Sequence, residues 1–182
     1  MNTLKSNIFS NKDLKGKDFE NVAFENCKFV GEINFTNFSN CTFKNCDLSQ
    51  GIYNIVSFFN CSFPETKLSN IDFGDTNIEN SNFENAIMEN CVFKKNKKFN
   101  LKNIKFKNTK LNGTAFVFCN LEKQSFEDCD LNSCVFERCN LKETSFATAR
   151  IEGCGFENCD VDDTKLDVEG FISYGLSKGF VI

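Results

Sequence analysis

Histidine and tryptophan are absent from this 182-residue chain, and proline occurs once, as Pro64. Without imidazole there is no ordinary Ser/His/Asp or Cys/His arrangement, and a zinc site would need four converging thiolates. No Gly-rich loop precedes a helix in the manner of a phosphate site, so neither catalysis nor a cofactor is expected. Long apolar runs are missing too. Nothing approaches the roughly eighteen residues of a membrane-spanning helix, and Met1 to Asn11 holds no apolar run of signal-peptide length, which makes a soluble cytoplasmic protein with no membrane partner the expectation. Positive charge is outweighed, the formal net charge being −4. That balance argues against direct binding of nucleic acid.

What is abundant is phenylalanine, with 23 copies, and cysteine, with 11. Both fall on one lattice. From Phe99 to Val168 every fifth residue is large and apolar: Leu101, Phe106, Leu111, Phe116, Leu121, Phe126, Leu131, Phe136, Leu141, Phe146, Ile151, Phe156, Val161 and Leu166. Two residues before most centres sits a small one, such as Thr109, Thr114, Cys119, Cys134 or Ala149. A period of five matches neither the 3.6 of a helix nor the 2 of a strand. It fits one side of a square coil, four quintets to the turn, with the centre and the small residue pointing inward and successive turns pairing as in a parallel sheet. Such a solenoid becomes stable only as turns stack.

All eleven cysteines fall two before a centre: Cys27, Cys41, Cys46, Cys61, Cys91, Cys119, Cys129, Cys134, Cys139, Cys154 and Cys159. This regularity marks small buried packing residues rather than disulfides or metal ligands. Two outward positions, Phe59 and Phe118, carry aromatics where polar residues prevail.

The register slips twice. Phe29 and Phe38 lie nine residues apart, which predicts a short bulge or corner over 30–34. Phe93 and Leu101 lie eight apart, so Lys94, Lys95, Asn96, Lys97 and Lys98 are expected to project as a partner-binding loop, since binding residues concentrate in loops on rigid scaffolds. Three segments result: an N-terminal cap or partial coil over 1–11, a β-helix over 12–168, and a capping and dimerisation element over 169–182. In the last, Asp167 is a good N-cap and Gly179 a C-terminal stop, while Val168, Phe171, Ile172 and Leu176 share a helical face. That face is expected to cover the final coil. Phe180, Val181 and Ile182 then need a partner, which a symmetric dimer supplies, so Phe171, Ile172, Leu176, Phe180, Val181 and Ile182 are the expected homodimer interface. Gly170 and Gly175 weaken the helix by about 1 kcal/mol each relative to Ala.

These tandem quintets resemble the pentapeptide-repeat family, which implies a right-handed, quadrilateral parallel β-helix, an all-β solenoid, here with a short C-terminal helix. The ending LDVEGFISYGLSKGFVI and the excess in CVFKKNKKFNL resemble one branch, the bacterial quinolone-resistance proteins. That likeness implies a non-enzymatic protein that binds and protects DNA gyrase and topoisomerase IV, dimerising through the element that contains Leu166, Asp167, Leu176, Gly179, Val181 and Ile182. Charge placement offers a physical handle. Glu157, Asp160, Asp162, Asp163, Asp167 and Glu169 cluster near the C-terminus, and doubled at a two-fold axis they would form an acidic saddle able to imitate DNA on a basic topoisomerase surface. The alternative reading is a passive interaction scaffold with an unrelated partner.

Overall fold

The computed structural model describes residues 2–94, 101 and 103–181. The chain winds as a four-sided solenoid whose short strands pair in parallel from turn to turn. Asn2–Lys5, Val22–Glu25 and Thr42–Lys44 begin face I; Ile8–Phe9, Lys28–Asn34 and Asp47–Asn54 begin face II. Face III carries Val92–Lys94, Ala115–Val117, Val135–Glu137 and Gly155–Glu157, and face IV carries Asp18–Glu20, Asn37–Ser39, Val56–Phe59 and Thr76–Glu79.

The quintet explains the core. On face III, Phe93, Phe116, Phe136 and Phe156 form a vertical stack with ring centroids 5.0, 5.1 and 5.2 Å apart. On face I, Phe106, Phe126 and Phe146 stack at 5.6 and 5.2 Å, and the two columns meet edge to face. Each ring thus has parallel neighbours above and below and perpendicular ones beside it, the arrangements that ring quadrupoles favour. The residue two before each centre closes the corner. At many of these positions a thiol or hydroxyl donates to a carbonyl of the preceding turn, as Cys134 does to Leu111 at 3.0 Å and Thr144 to Leu121 at 2.8 Å.

Three residues before most centres the backbone turns left-handed, and asparagine, which tolerates that region, often stands there: Asn21, Asn26, Asn40, Asn45, Asn60, Asn80, Asn85, Asn103 and Asn108 all have positive φ. Their amides continue the stack, Asn45 donating to Asn26 at 2.6 Å, Asn60 to Asn40 at 2.6 Å and Asn103 to Asn80 at 2.8 Å. Twelve of the 26 asparagines occupy these left-handed corners.

At the first slip, where a short bulge or corner is expected over 30–34, a bulge-type shift of register falls at the start of the segment, which otherwise stays paired with the next turn. The register shifts between Lys28 and Val30, and Ile33 is fully buried and pairs with Tyr53. The chain simply drops one residue, so one side is four residues long. Tyr53, the only tyrosine used as a centre, folds over Gly51; a Cβ built on Gly51 would lie 2.6 Å from the ring, whose hydroxyl donates to the Leu48 carbonyl at 2.8 Å. Gly51→Ala is therefore expected to cost about 1–3 kcal/mol through overpacking and to lower the melting temperature by roughly 2–4 °C for each kcal/mol. An unchanged melting curve would contradict this placement of the ring.

At the second slip three extra residues lie between turns, since Phe83 stacks on Phe106 and Asn82 pairs with Lys105. Lys94 ends its strand exposed. Lys95, Asn96, Lys97 and Lys98 lie outside the described residues, as does Ile182. At the N-terminus Asn2–Lys5 already stacks on Val22–Glu25, with Leu4 opposite Phe24, so the coil starts at once; a single helical turn, α1 (Asn11–Leu14), then buries Leu14.

Candidate protein-interaction site

The C-terminal end of the rod is where the surface is least self-sufficient. A second helix, α2 (Val168–Ser177), begins at Asp167, whose carboxylate accepts the Gly170 amide at 2.7 Å. It ends in a Schellman turn: Gly179 has φ +86, its amide bonds to the Leu176 carbonyl and that of Phe180 to the Gly175 carbonyl, both at 3.0 Å. This arrangement satisfies carbonyls that the helix end would leave open.

The face that covers the last coil is not the apolar stripe expected from the sequence. Gly170 is the buried residue of α2, close enough that a Cβ would meet Ile151 and Leu166 at 3.4 and 3.5 Å, and Tyr174 sets its ring edge-on to Phe156 at 5.4 Å. Lys178 reaches back to the Phe156 carbonyl and lies 3.8 Å from Glu157. Gly170 is thus a contact, its lack of a side chain letting the helix approach, rather than only a weak helix former. The stripe faces solvent instead. Phe171 is 68 % exposed, Phe180 72 % and Val181 92 %, with Val168, Ile172 and Leu176 also exposed. Beside it lies an open hollow of about 280 Å³ bounded by Phe156, Val161, Thr164, Leu166, Phe171 and Tyr174.

The six acidic residues spread over faces III and IV, the next corner and the start of α2 rather than share one side. Glu157 ends a strand of face III, while Asp160 and Asp162 flank Val161 on face IV, where Lys142 pairs with both at 3.1 and 3.3 Å. Those two carboxylates hold the exposed Lys142 ammonium above its ordinary pKa. Asp163 occupies a corner with φ 54, Asp167 caps the helix, and Glu169 lies in its first turn.

The cysteines form inward ladders and all are free. Burial pushes the thiols of Cys46 and Cys91 up to about 12 and that of Cys129 up to about 11, which keeps them protonated and poorly nucleophilic. In the unfolded chain the same groups ionise at about 8.5. Because the folded form keeps protons that the unfolded form releases, their contribution is complete below that pH and is lost as pH rises through the folded values, at about 1.4 kcal/mol per pH unit for each thiol. Urea midpoints under reducing conditions should fall steeply between about pH 8 and about pH 10. Cys129→Thr, which installs the residue used at Thr109, should make that fall shallower; equal slopes would contradict the assignment.

Among the described residues no group of three or more His, Cys, Asp or Glu side chains could hold a metal ion, and no helix is long and apolar enough to cross a membrane. The outward aromatics Phe59 and Phe118 are both exposed.

A family model described as a pentapeptide repeat region matches residues 36–116, and a second, pentapeptide repeats, matches residues 129–167. No curated protein matches the sequence. Among solved structures, a trypsin-treated variant of QnrB1, a plasmid-mediated fluoroquinolone resistance protein, aligns with 100 % of this chain and 98 % of its own at 17 % identity and a TM-score of 0.71. Full-length QnrB1 aligns with 98 % and 97 % at 20 % identity and a TM-score of 0.50. HetL, a pentapeptide repeat protein from the cyanobacterium Nostoc sp. strain PCC 7120, covers 90 % of this chain and 84 % of its own at 13 % identity and a TM-score of 0.24.

Proposed function

We propose, from the premise that this chain belongs to the pentapeptide-repeat family, that it is a non-catalytic cytoplasmic rod that binds a bacterial type II topoisomerase, DNA gyrase or topoisomerase IV, and shields it from fluoroquinolones. The observation that carries this reading is the end-to-end alignment with QnrB1, a fluoroquinolone resistance protein, at a TM-score of 0.71. Two rods join tail to tail through Phe171, Ile172, Leu176, Phe180, Val181 and Ile182, so the acidic set is doubled near the two-fold axis. The exposed stripe on α2 supports this joint, because nothing else among the described residues covers it.

In the dimer, Asp163, Glu169 and the partly paired Glu157, Asp160 and Asp162 make the centre of the rod negative, while Asp167 is committed to its cap. The basic DNA-binding surface of a topoisomerase attracts such a centre, and its complementarity contributes association rate and specificity more than raw affinity. The loop at Lys94, Lys95, Asn96, Lys97 and Lys98 makes a separate contact with the enzyme. The test is displacement of a fluorescent duplex from purified gyrase. The protein should lower the anisotropy of the bound duplex in a saturable, salt-sensitive manner; an unchanged signal, with unlabelled duplex displacing normally, would count against DNA imitation.

A further inference from the structure

We infer that Cys139 and Cys159 form a two-coordinate site for the soft monovalent cation copper(I), clamped between the last turns of the coil; this goes beyond the topoisomerase reading and does not depend on it. The two cysteines occupy one inward column at the corner between faces III and IV, continued upward by Cys119. Their turns are in register, since Asn140 pairs with Asp160 and the Asp160 amide donates to the Cys139 carbonyl at 3.0 Å. The side chains adopt the same pose. Cys139 donates to the Phe116 carbonyl and Cys159 to the Phe136 carbonyl, both at 3.3 Å, and the two thiols are hydrogen-bonding neighbours.

The spacing selects the chemistry. Equivalent residues of neighbouring parallel strands repeat at about 4.8 Å, and the phenylalanines of the same turns keep close to that, with ring centroids 5.1 and 5.2 Å apart. A relaxed disulfide needs Cβ atoms within about 4.5 Å, so these in-register thiols stand too far apart to be joined directly. Two metal–sulfur bonds of about 2.3 Å laid end to end span about 4.6 Å, which comes close to the pitch. The angle fits as well. Side chains stand roughly perpendicular to a sheet, so a cation on the line between the sulfurs is met sideways by each Cβ–Sγ bond, where the thiolate lone pairs lie. Soft thiolates select copper(I), a closed-shell ion that accepts two ligands in line. Zinc asks for four in a tetrahedron, and among the described residues no three such side chains converge.

Access singles out this pair. Cys41 with Cys61 and Cys134 with Cys154 stack in the same way, but those thiols are buried, whereas Cys159 is partly exposed at the open end of its column. Charge favours it too. Contact with Cys139 and burial push the Cys159 thiol up, and the Lys178 ammonium, held at the Phe156 carbonyl, acts in the opposite sense by favouring the thiolate. Copper(I) entering the pair releases both thiol protons to solvent and leaves a bis-thiolate complex with a single negative charge, which Lys178 offsets. The clamp ties the last turn, from which α2 departs, to the turn before it.

The test is anaerobic titration of the reduced, full-length protein with copper(I) in competition with bathocuproine disulfonate, whose copper(I) complex is coloured. The wild type should withdraw copper(I) from the chelator. Cys159→Thr, which places in this column the residue found at Thr36, should lose one tightly held equivalent, its affinity falling by more than the roughly 10–100-fold that changes outside a coordination shell produce. Cys134→Thr, in a buried rung of another column, should bind as the wild type does. X-ray absorption at the copper edge should show two sulfur neighbours. Failure of the wild type to take copper(I) from the chelator, or equal retention by Cys159→Thr, overturns the site, as does a shell of three or more sulfurs. If Cys159→Thr loses its melting transition, Cys159→Ser makes the same comparison, with the same two outcomes.

Discussion

Replacing Phe136 with Asp is expected to leave the chain without a cooperative folded state. Phe136 is fully buried between Phe116 and Phe156, with ring planes within 4° and 8° of parallel, and meets Phe126 and Phe146 at 74° and 77°. Truncation of such a ring alone costs about 3–5 kcal/mol, and a carboxylate in its place finds no hydrogen-bond donor in an aromatic column. Domains are typically stable by only about 5–15 kcal/mol. The loss also propagates, because in a solenoid each turn is supported by its neighbours. Phe136→Leu is the control: leucine fills the centres on either side, Leu131 and Leu141, and should cost only about 1–3 kcal/mol. Circular dichroism melts separate the two variants. A wild-type transition in Phe136→Asp would contradict the inward register.

The second large effect is on assembly. Phe171→Glu together with Phe180→Glu should convert a dimer into a folded monomer. Neither side chain belongs to the cap, which rests on Gly170, Tyr174 and Lys178, so the melting temperature of each subunit's coil should change little. Central apolar anchors are worth about 2 kcal/mol or more each, and four charges brought together at a two-fold axis repel one another. The dissociation constant should therefore rise at least about 100-fold. Light scattering after size exclusion reads the outcome directly. Dimers that persist in the double variant would move the joint elsewhere, and a monomeric wild type would remove it.

The repeat was legible because its signal is steric. A slot that accepts one ring shape recurs every five residues, so Phe and Leu mark the inward positions even where the chain is otherwise polar. Ile33 escaped because it follows Phe29 by four residues, and a fixed period reads past it. The corners are equally present in the sequence, in the asparagines three before many centres, but their meaning lies in φ rather than in hydrophobicity.

At the C-terminus the periodicity found α2, its cap and its stop, yet chose the wrong face. A helical wheel ranks faces by apolar side chains, and here the contact is made by Gly170, which has none, and by Tyr174, which lies off the stripe. A charge count leaves the pairing open: Lys142 stands a full turn before Asp160 and Asp162, and Lys178 approaches Glu157 only once α2 folds back. Such pairs depend on the coil pitch and on the direction of the last helix, and neither is written in local sequence.

The most direct test of the topoisomerase reading is a gyrase supercoiling assay in which purified protein is titrated with and without ciprofloxacin. Supercoiling blocked by the drug should be restored over an intermediate range of protein concentration and suppressed again at high concentration, as the acidic dimer begins to compete with DNA. Drug inhibition that stays the same at every concentration, with gyrase from the source organism, would contradict it.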